Sequence, residues 1–183
     1  MPFFIAAKSQ YIRYDGLMSQ RQKNHCQHIV LMLPSGPIKR LLLETDGKLI
    51  QGISMLFDDE LLPPQTATKM PKSLYAIAQQ LCDYNQQAHN DWLLDLSDKG
   101  TSFQRKVWRY LQTIPMGTTQ SYGEVAKALN SSARAVGNAC RANPFLLVVP
   151  CHRVVKKTGI GGFGGKIDGD AVAIKQRLLA HEK

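Results

Sequence analysis

The chain has 183 residues, 44% hydrophobic and 20% charged, which bounds it to one large or two small globular domains with enough length for a real core. No apolar run approaches the roughly 18 residues of a membrane-spanning helix. The start, "MPFFIAAK", is an apolar patch too short and wrongly flanked for a signal peptide. No membrane association is therefore expected, and the expected location is cytoplasmic. A formal net charge of +9 with a pI near 9.5 favours a polyanionic partner, because phosphates attract such a surface and release counterions on binding.

In the first half, "HIVLML" (28–33) reads as a short apolar strand. "PIKRLLLETDGKLIQGISML" (37–56) reads as a hairpin turning at Asp46-Gly47, a strong turn signal between apolar runs. "LLPPQTATKMP" (61–71) is a loop. Over 71–88, Leu74, Ile77, Ala78, Leu81 and Cys82 recur at helical spacing, with Pro71 suited to the first turn. "WLLDLS" (92–97) is a candidate last strand.

The character then changes. "TSFQRKVWRYLQTIP" (101–115) opens on a capping box, Thr101 to Gln104. It carries Phe103, Val107, Trp108, Leu111 and Ile114 on one face, and Pro115 is expected to end it. A second capping box, Ser121 to Glu124, opens "SYGEVAKAL". A turn at Asn130-Ser131 leads to a third helix, "SARAVGNACRAN" (132–143), which Asn143-Pro144 breaks. A domain boundary is expected near 90–100. The pair of short helices suggests a helix-turn-helix, although many plain packing helices show the same pattern. Small side chains let the second lie close against another surface, and Arg134 and Arg141 can meet phosphates or simply face solvent.

Four cysteines occur, Cys26, Cys82, Cys140 and Cys151, with no CxxC pair. "HCQH" (25–28) with Cys82 and His89 matches no standard zinc spacing, so no metal site is expected. "VVPCHRVV" (148–155) is the ambiguous stretch. A thiolate, not a thiol, is the competent nucleophile, and His152 is the nearest base. In an extended segment, however, neighbouring side chains point to opposite faces, so Cys151 and His152 meet only if the chain kinks at Pro150 or a water bridges them. Residue types alone leave Cys151 open between inert hydrophobe, metal ligand and nucleophile. "GIGGFGG" (159–165) fits neither GxGxxG nor a P-loop. It reads as a surface loop or as backbone brought close to a ligand. "AVAIKQRLLAHEK" (171–183) is an amphipathic helix with Val172, Ile174, Leu178 and Leu179. His181 and Glu182, taken alone, read as a solvated end. Arg153 is expected to seek an acidic partner in the N-terminal half.

Taken together, "PCHRVV", "SYGEVA", "ARAVGNACRANP" and "LLAHE" resemble the O6-alkylguanine-DNA alkyltransferases, or methylated-DNA–protein-cysteine methyltransferases. The resemblance is dense from Phe103 to Glu182. It implies an α/β chain: a ribonuclease-H-like supporting domain over 1–95 and an α-rich domain over 96–183 with the helix-turn-helix and the active-site cysteine. It implies direct-reversal repair, in which an alkyl group leaves O6 of a flipped-out guanine, and by extension O4 of thymine, for Cys151 in one irreversible turnover. His152 would be the base acting through a water, Glu182 its orienter, Asn143 the brace of the turn, and Tyr122 the donor to guanine N3. Arg134 would fill the gap in the base stack, with Ala133, Arg141 and Ser121 also at the DNA. The pocket would be lined by Tyr122, Val154, Phe163, Gly164 and Leu146, the Val154 carbonyl accepting from the guanine amine.

The implied partner is double-stranded DNA bound through its minor groove by a monomer that needs no cofactor. Phe163 stands where many members have Tyr, Leu146 where some have Pro, and "KIDGD" (166–170) looks like an insertion before the last helix. No phosphotriester-repair domain is recognisable, which argues against a dual-function regulator. The alternative is a non-catalytic lesion-binding protein with a structural cysteine.

Overall fold

The computed structural model describes residues 3–7, 10–14, 27–33, 35–57, 72–89, 92 and 97–183. The chain forms two compact units, Met1–Asp98 and Lys99–Lys183. It is a mixed α/β molecule with small sheets and short helices.

In the first unit, β1 (Phe3–Ala7) and β2 (Gln10–Tyr14) pair antiparallel with Ile5 opposite Ile12. No Asn-Gly or Asp-Gly signal in the sequence marks this pairing, and "MPFFIAAK" shows only an apolar patch where β1 lies. The expected strand at 28–33 is β3 (Gln27–Met32), and the expected hairpin is β4 (Arg40–Thr45) with β5 (Ile50–Met55), in the order β3-β4-β5. The hairpin loop spans Asp46 to Leu49. The Asp46 carboxylate accepts from the N–H groups of Lys48 and Leu49, both at 2.9 Å, and Gly47 takes the left-handed φ of 90° that the turn requires. The Leu41-Leu42-Leu43 run of the central strand is buried throughout.

The helix expected over 71–88 is α1 (Lys72–Gln86). All five residues of its expected apolar face are buried, as are Tyr84 and Asn85. Asn85 substitutes for missing backbone partners. Its amide donates to the Ile38 carbonyl at 3.0 Å and its oxygen accepts the Ile38 N–H at 3.1 Å. Burial of such a group is tolerable only because its hydrogen bonds are made. The loop expected at 61–71 and most of the strand expected at 92–97 lie outside the described residues, as do His25 and Cys26.

The second unit starts with α2 (Ser102–Leu111), whose Thr101–Gln104 capping box forms in both directions. The helix stops at Leu111, four residues before Pro115, with Ile114 buried in the turn that follows. The two-residue strand β6 (Gln120–Ser121) feeds α3 (Tyr122–Ala128), which opens on the Ser121–Glu124 capping box. Asn130 supplies the turn with φ 51°, a conformation Asn tolerates better than most residues. Ser132 caps α4 (Ala133–Arg141) by accepting from the Ala135 N–H. Trp108 Nε1 donates to the Ala139 carbonyl at 2.8 Å, pinning α2 to α4. The strand β7 (Val154–Val155) pairs parallel with β6, and α5 (Gly169–His181) closes the chain. Among the described residues no helix is long and apolar enough to cross a membrane.

Candidate active site

Cys151 does not sit in an extended strand, as the apolar sequence around it suggested. Cys151–Arg153 form a single 3-10 turn. Pro150 adopts φ −80° and ψ 63°, its carbonyl accepts the Arg153 N–H at 3.0 Å, and the Cys151 N–H turns back to the Val149 carbonyl at 2.8 Å. Only Val154 and Val155 beyond the turn are extended. The pairing of β7 with β6 sets Val155 opposite Ser121, and Tyr122 starts α3 one residue later. The two elements that carry Cys151 and Tyr122 are thus tied by a short parallel ladder.

Asn143 braces the segment in front of the cysteine. Its side-chain oxygen accepts the Phe145 N–H at 2.9 Å, and its amide donates to the Val149 carbonyl at 2.8 Å and to Cys151 Sγ at 3.3 Å. These bonds hold a loop in which Leu147 adopts φ 73°, costly for a residue with a Cβ. Burial pushes the Cys151 thiol up from its ordinary pKa, against the opposing pull of the Asn143 hydrogen bond and the Lys175 charge.

His152 is fully buried. Its Nε2 lies 2.8 Å from Glu182 Oε1, and its Nδ1 has no partner among the described residues. Arg153 is buried too. Its Nε and Nη2 donate to Glu182 Oε2 and Oε1, both at 2.9 Å, and its Nη1 donates to the Ile114 carbonyl at 2.7 Å. Arg153 therefore finds a carboxylate, Glu182, in its own unit. Glu182 is 6% exposed, not the solvated terminus its position suggested. Despite its burial, the His152 and Arg153 hydrogen bonds hold its carboxyl far below the usual range. An ionised Glu182 can only accept, so His152 carries its proton on Nε2 and offers Nδ1 as a lone pair. Burial also lowers the His152 pKa, more than Glu182 raises it, which keeps the ring neutral at pH 7.

Sequence reasoning missed Lys175. This side chain is fully buried, its Nζ donates to the Val154 carbonyl at 2.5 Å and to the Gly162 carbonyl at 3.0 Å, and it stands 5.8 Å from the Tyr122 ring centroid. Burial brings its pKa down to about 8, opposed by the charges of Cys151 and Cys140. A signal was present. Ala171, Ile174 and Leu178 form the inward stripe of α5, and Lys175 occupies the fourth slot of that stripe.

A cavity of about 390 Å³ opens between α4, the start of α3 and the glycine loop. Tyr122, Cys151, Phe163 and Gly164 line it, with Ala133 and Arg141 of α4. Leu146 and Val154 are buried and do not line it; Ser121 and the exposed Arg134 also lie outside its wall. Burial pushes the Tyr122 phenol up to about 12, so it is a proton donor at neutral pH. The loop is clamped where Phe163 and Lys166 exchange two backbone hydrogen bonds, at 2.9 and 3.0 Å, around Gly164 and Gly165. Gly162 has no room for a side chain, since a Cβ there would sit 2.6 Å from the Lys166 carbonyl oxygen.

Residues 102–183 match the family model described as the DNA-binding domain of 6-O-methylguanine DNA methyltransferase. Over 151 residues the chain is 39% identical to the methylated-DNA–protein-cysteine methyltransferase of Mycolicibacterium paratuberculosis, covering 80% of this chain and 88% of that protein. The chain belongs to the methylated-DNA–protein-cysteine methyltransferase family. Among solved structures of this family, the Mycobacterium tuberculosis O6-methylguanine methyltransferase superposes with a TM-score of 0.69 at 31% identity, over 86% of this chain and 93% of that one. The Mycobacterium tuberculosis OGT in complex with DNA gives a TM-score of 0.67 at 34% identity, over 81% and 89%. The methyltransferase family thus accounts for the fold of most of the chain, and its matched domain spans the whole constellation from α2 to Glu182.

Proposed function

We propose that the chain repairs DNA by direct reversal, moving an alkyl group from O6 of guanine to Cys151 in a single irreversible turnover. The observation that carries this is the buried Glu182–His152 pair directly behind the cysteine, with Nδ1 left as a lone pair. Burial favours the protonated thiol in the free protein, so the nucleophile needs a base when substrate arrives. His152 takes the Cys151 proton through one bridging water, and Glu182 stabilises the imidazolium that forms. The sulfur then attacks the alkyl carbon in line with the departing oxygen, the C–O6 bond breaks, and guanine leaves with the electron pair. Guanine is a poor leaving group unless it is hydrogen-bonded or protonated as it departs, and the Tyr122 phenol is the donor that does this at N3. Lys175 is the fixed positive charge near thiolate and phenol, held by the Val154 and Gly162 carbonyls. The Phe163–Gly164 turn closes over the base.

An O6-alkyl carbon is shielded within the base stack, so the nucleotide must be extruded. We read α3 and α4 as the helix-turn-helix that achieves this from the minor groove. Exposed Arg134 fills the gap, while Ser121, Ala133 and Arg141 contact the strand beside it. The basic charge of the chain supports the DNA partner. The first unit is read as the ribonuclease-H-like support of a cytoplasmic monomer, and O4-alkylthymine as a second substrate of the same pocket. To test the reading, the protein is mixed with duplex DNA carrying O6-methylguanine and weighed intact. One added methyl group, mapped to Cys151 and missing in Cys151→Ala, is expected. Tight binding without a mass change would instead make this a non-catalytic lesion-binding protein.

A further inference from the structure

The reaction uses one thiol, yet the cavity is lined by two: Cys140, in the last turn of α4, faces the same space as Cys151. Cys140 is only half-buried, so small reagents can reach it. A single residue, Asn143, bonds to both positions. The Asn143 N–H donates to the Cys140 carbonyl at 3.3 Å, and the Asn143 amide reaches Cys151 Sγ at 3.3 Å. The chain between them, from Ala142 to Pro150, is loop without helix or extended ladder. We propose that Cys140 is the resolving thiol for an oxidised Cys151, the two closing a reversible disulfide that recovers the alkyl acceptor after attack by a hydroperoxide. This rests on the reading of Cys151 as the reactive thiol.

The chemistry balances in two steps. The Cys151 thiolate attacks the O–O bond of the hydroperoxide, forming a sulfenic acid and releasing hydroxide or alkoxide. The Cys140 sulfur then attacks the sulfenic sulfur, the S–S bond forms, and the hydroxyl leaves as water with the Cys140 proton. The protein loses two electrons, which reduce the peroxide, and a dithiol reductant restores both thiols. Cys140 is pushed up to about 12, first by burial and then by the charge of Cys151, while Lys175 pulls it the other way. Cys140 therefore stays a protonated bystander during alkyl transfer. A single-use acceptor gains from such a partner, because unresolved sulfenic acid proceeds to sulfinic acid, which ordinary thiols do not reverse.

The test uses the full chain, stoichiometric hydrogen peroxide, a maleimide block of free thiols and a non-reducing peptide map. Methyl transfer is then measured before and after dithiothreitol, each variant normalised to its own untreated value. We expect a Cys140–Cys151 linked peptide in the wild type and recovery of most of the lost transfer. Cys140→Ala and Cys140→Ser should recover severalfold less and accumulate sulfinic Cys151. Maleimide-labelled Cys140 beside oxidised Cys151 in the wild type, or equal recovery in the variants, overturns the proposal. Untreated protein that fails to transfer methyl would instead sink the repair reading, which the peptide map does not depend on.

Discussion

Glu182→Gln isolates the charge behind the nucleophile while keeping its shape. The wild-type carboxylate accepts three charge-neutral or charge-assisted bonds, from His152 Nε2, Arg153 Nε and Arg153 Nη2, at 2.8 to 2.9 Å. The amide keeps one acceptor oxygen and turns an NH2 group toward a donor. Removing one partner of a buried ion pair costs about 3–5 kcal/mol, and the retained acceptor puts this change near about 3. For a unit of this size, about 3 kcal/mol lowers Tm by roughly 12–24 °C. The pH dependence has a fixed sign. A carboxyl depressed in the folded state stabilises above its unfolded pKa, about 4.3, and that stabilisation is lost as pH falls through the folded value. The gap between wild type and variant should therefore narrow below about pH 4. The assay is urea unfolding across pH, paired with single-turnover methyl transfer at a temperature where both proteins are folded. Transfer per folded molecule should drop at least about tenfold, since His152 loses the charge that stabilises its imidazolium. A variant that melts early but transfers at the wild-type rate would show that Glu182 holds the turn and takes no part in the relay. A stability loss under about 1 kcal/mol would refute the pairing energy itself.

Lys175→Met keeps the length and removes the charge; transfer should fall at least about tenfold in a single-turnover assay on protein shown folded by circular dichroism, with a stability loss of about 1–3 kcal/mol as the Val154 and Gly162 carbonyls lose their donor. The sign for the lysine is the same as that for Glu182, because both pKa values are lowered on folding. A pKa brought down to about 8 means the unfolded chain binds more protons between pH 8 and about 10.4, so wild-type stability should rise with pH across that window and the Met variant should lack the rise. Asn143→Ala removes three hydrogen bonds from a loop with one strained residue, for an expected loss of about 2–4 kcal/mol in urea unfolding and a slower transfer at every temperature. Arg134→Ala should slow methyl transfer more than it weakens the salt-dependent encounter with duplex DNA; equal losses, read from transfer rates and binding at several salt concentrations, would reduce Arg134 to a phosphate contact.

Local chemistry explains which parts of the molecule were legible from its residues. Both capping boxes, the Asp46-Gly47 loop and the apolar face of α1 involve partners within a few positions, so pattern alone locates them. The family motifs likewise brought Cys151, Tyr122, Phe163 and Gly164 to one cavity before any coordinates. What stayed hidden depends on contacts far apart in the chain. Glu182 looks solvated until Arg153 and His152, some thirty positions earlier, fold against it. The 3-10 turn at Cys151 is set by Pro150 and by Asn143 bracing the loop ahead, not by the valines on either side, whose β preference points to a strand.

Lys175 differs from these cases, because its anomaly is local and can be read without a partner. A lysine in the inward stripe of an amphipathic helix violates the rule that builds the helix, and nothing nearby in sequence compensates. Such violations concentrate where function opposes stability. Among the described residues the buried cation meets two backbone carbonyls and an aromatic face, and no carboxylate. A carboxylate there would neutralise it and silence its field at Cys151 and Tyr122. Carbonyl dipoles hold the ammonium group in place while leaving its net charge intact, which is the arrangement a thiolate-forming pocket requires.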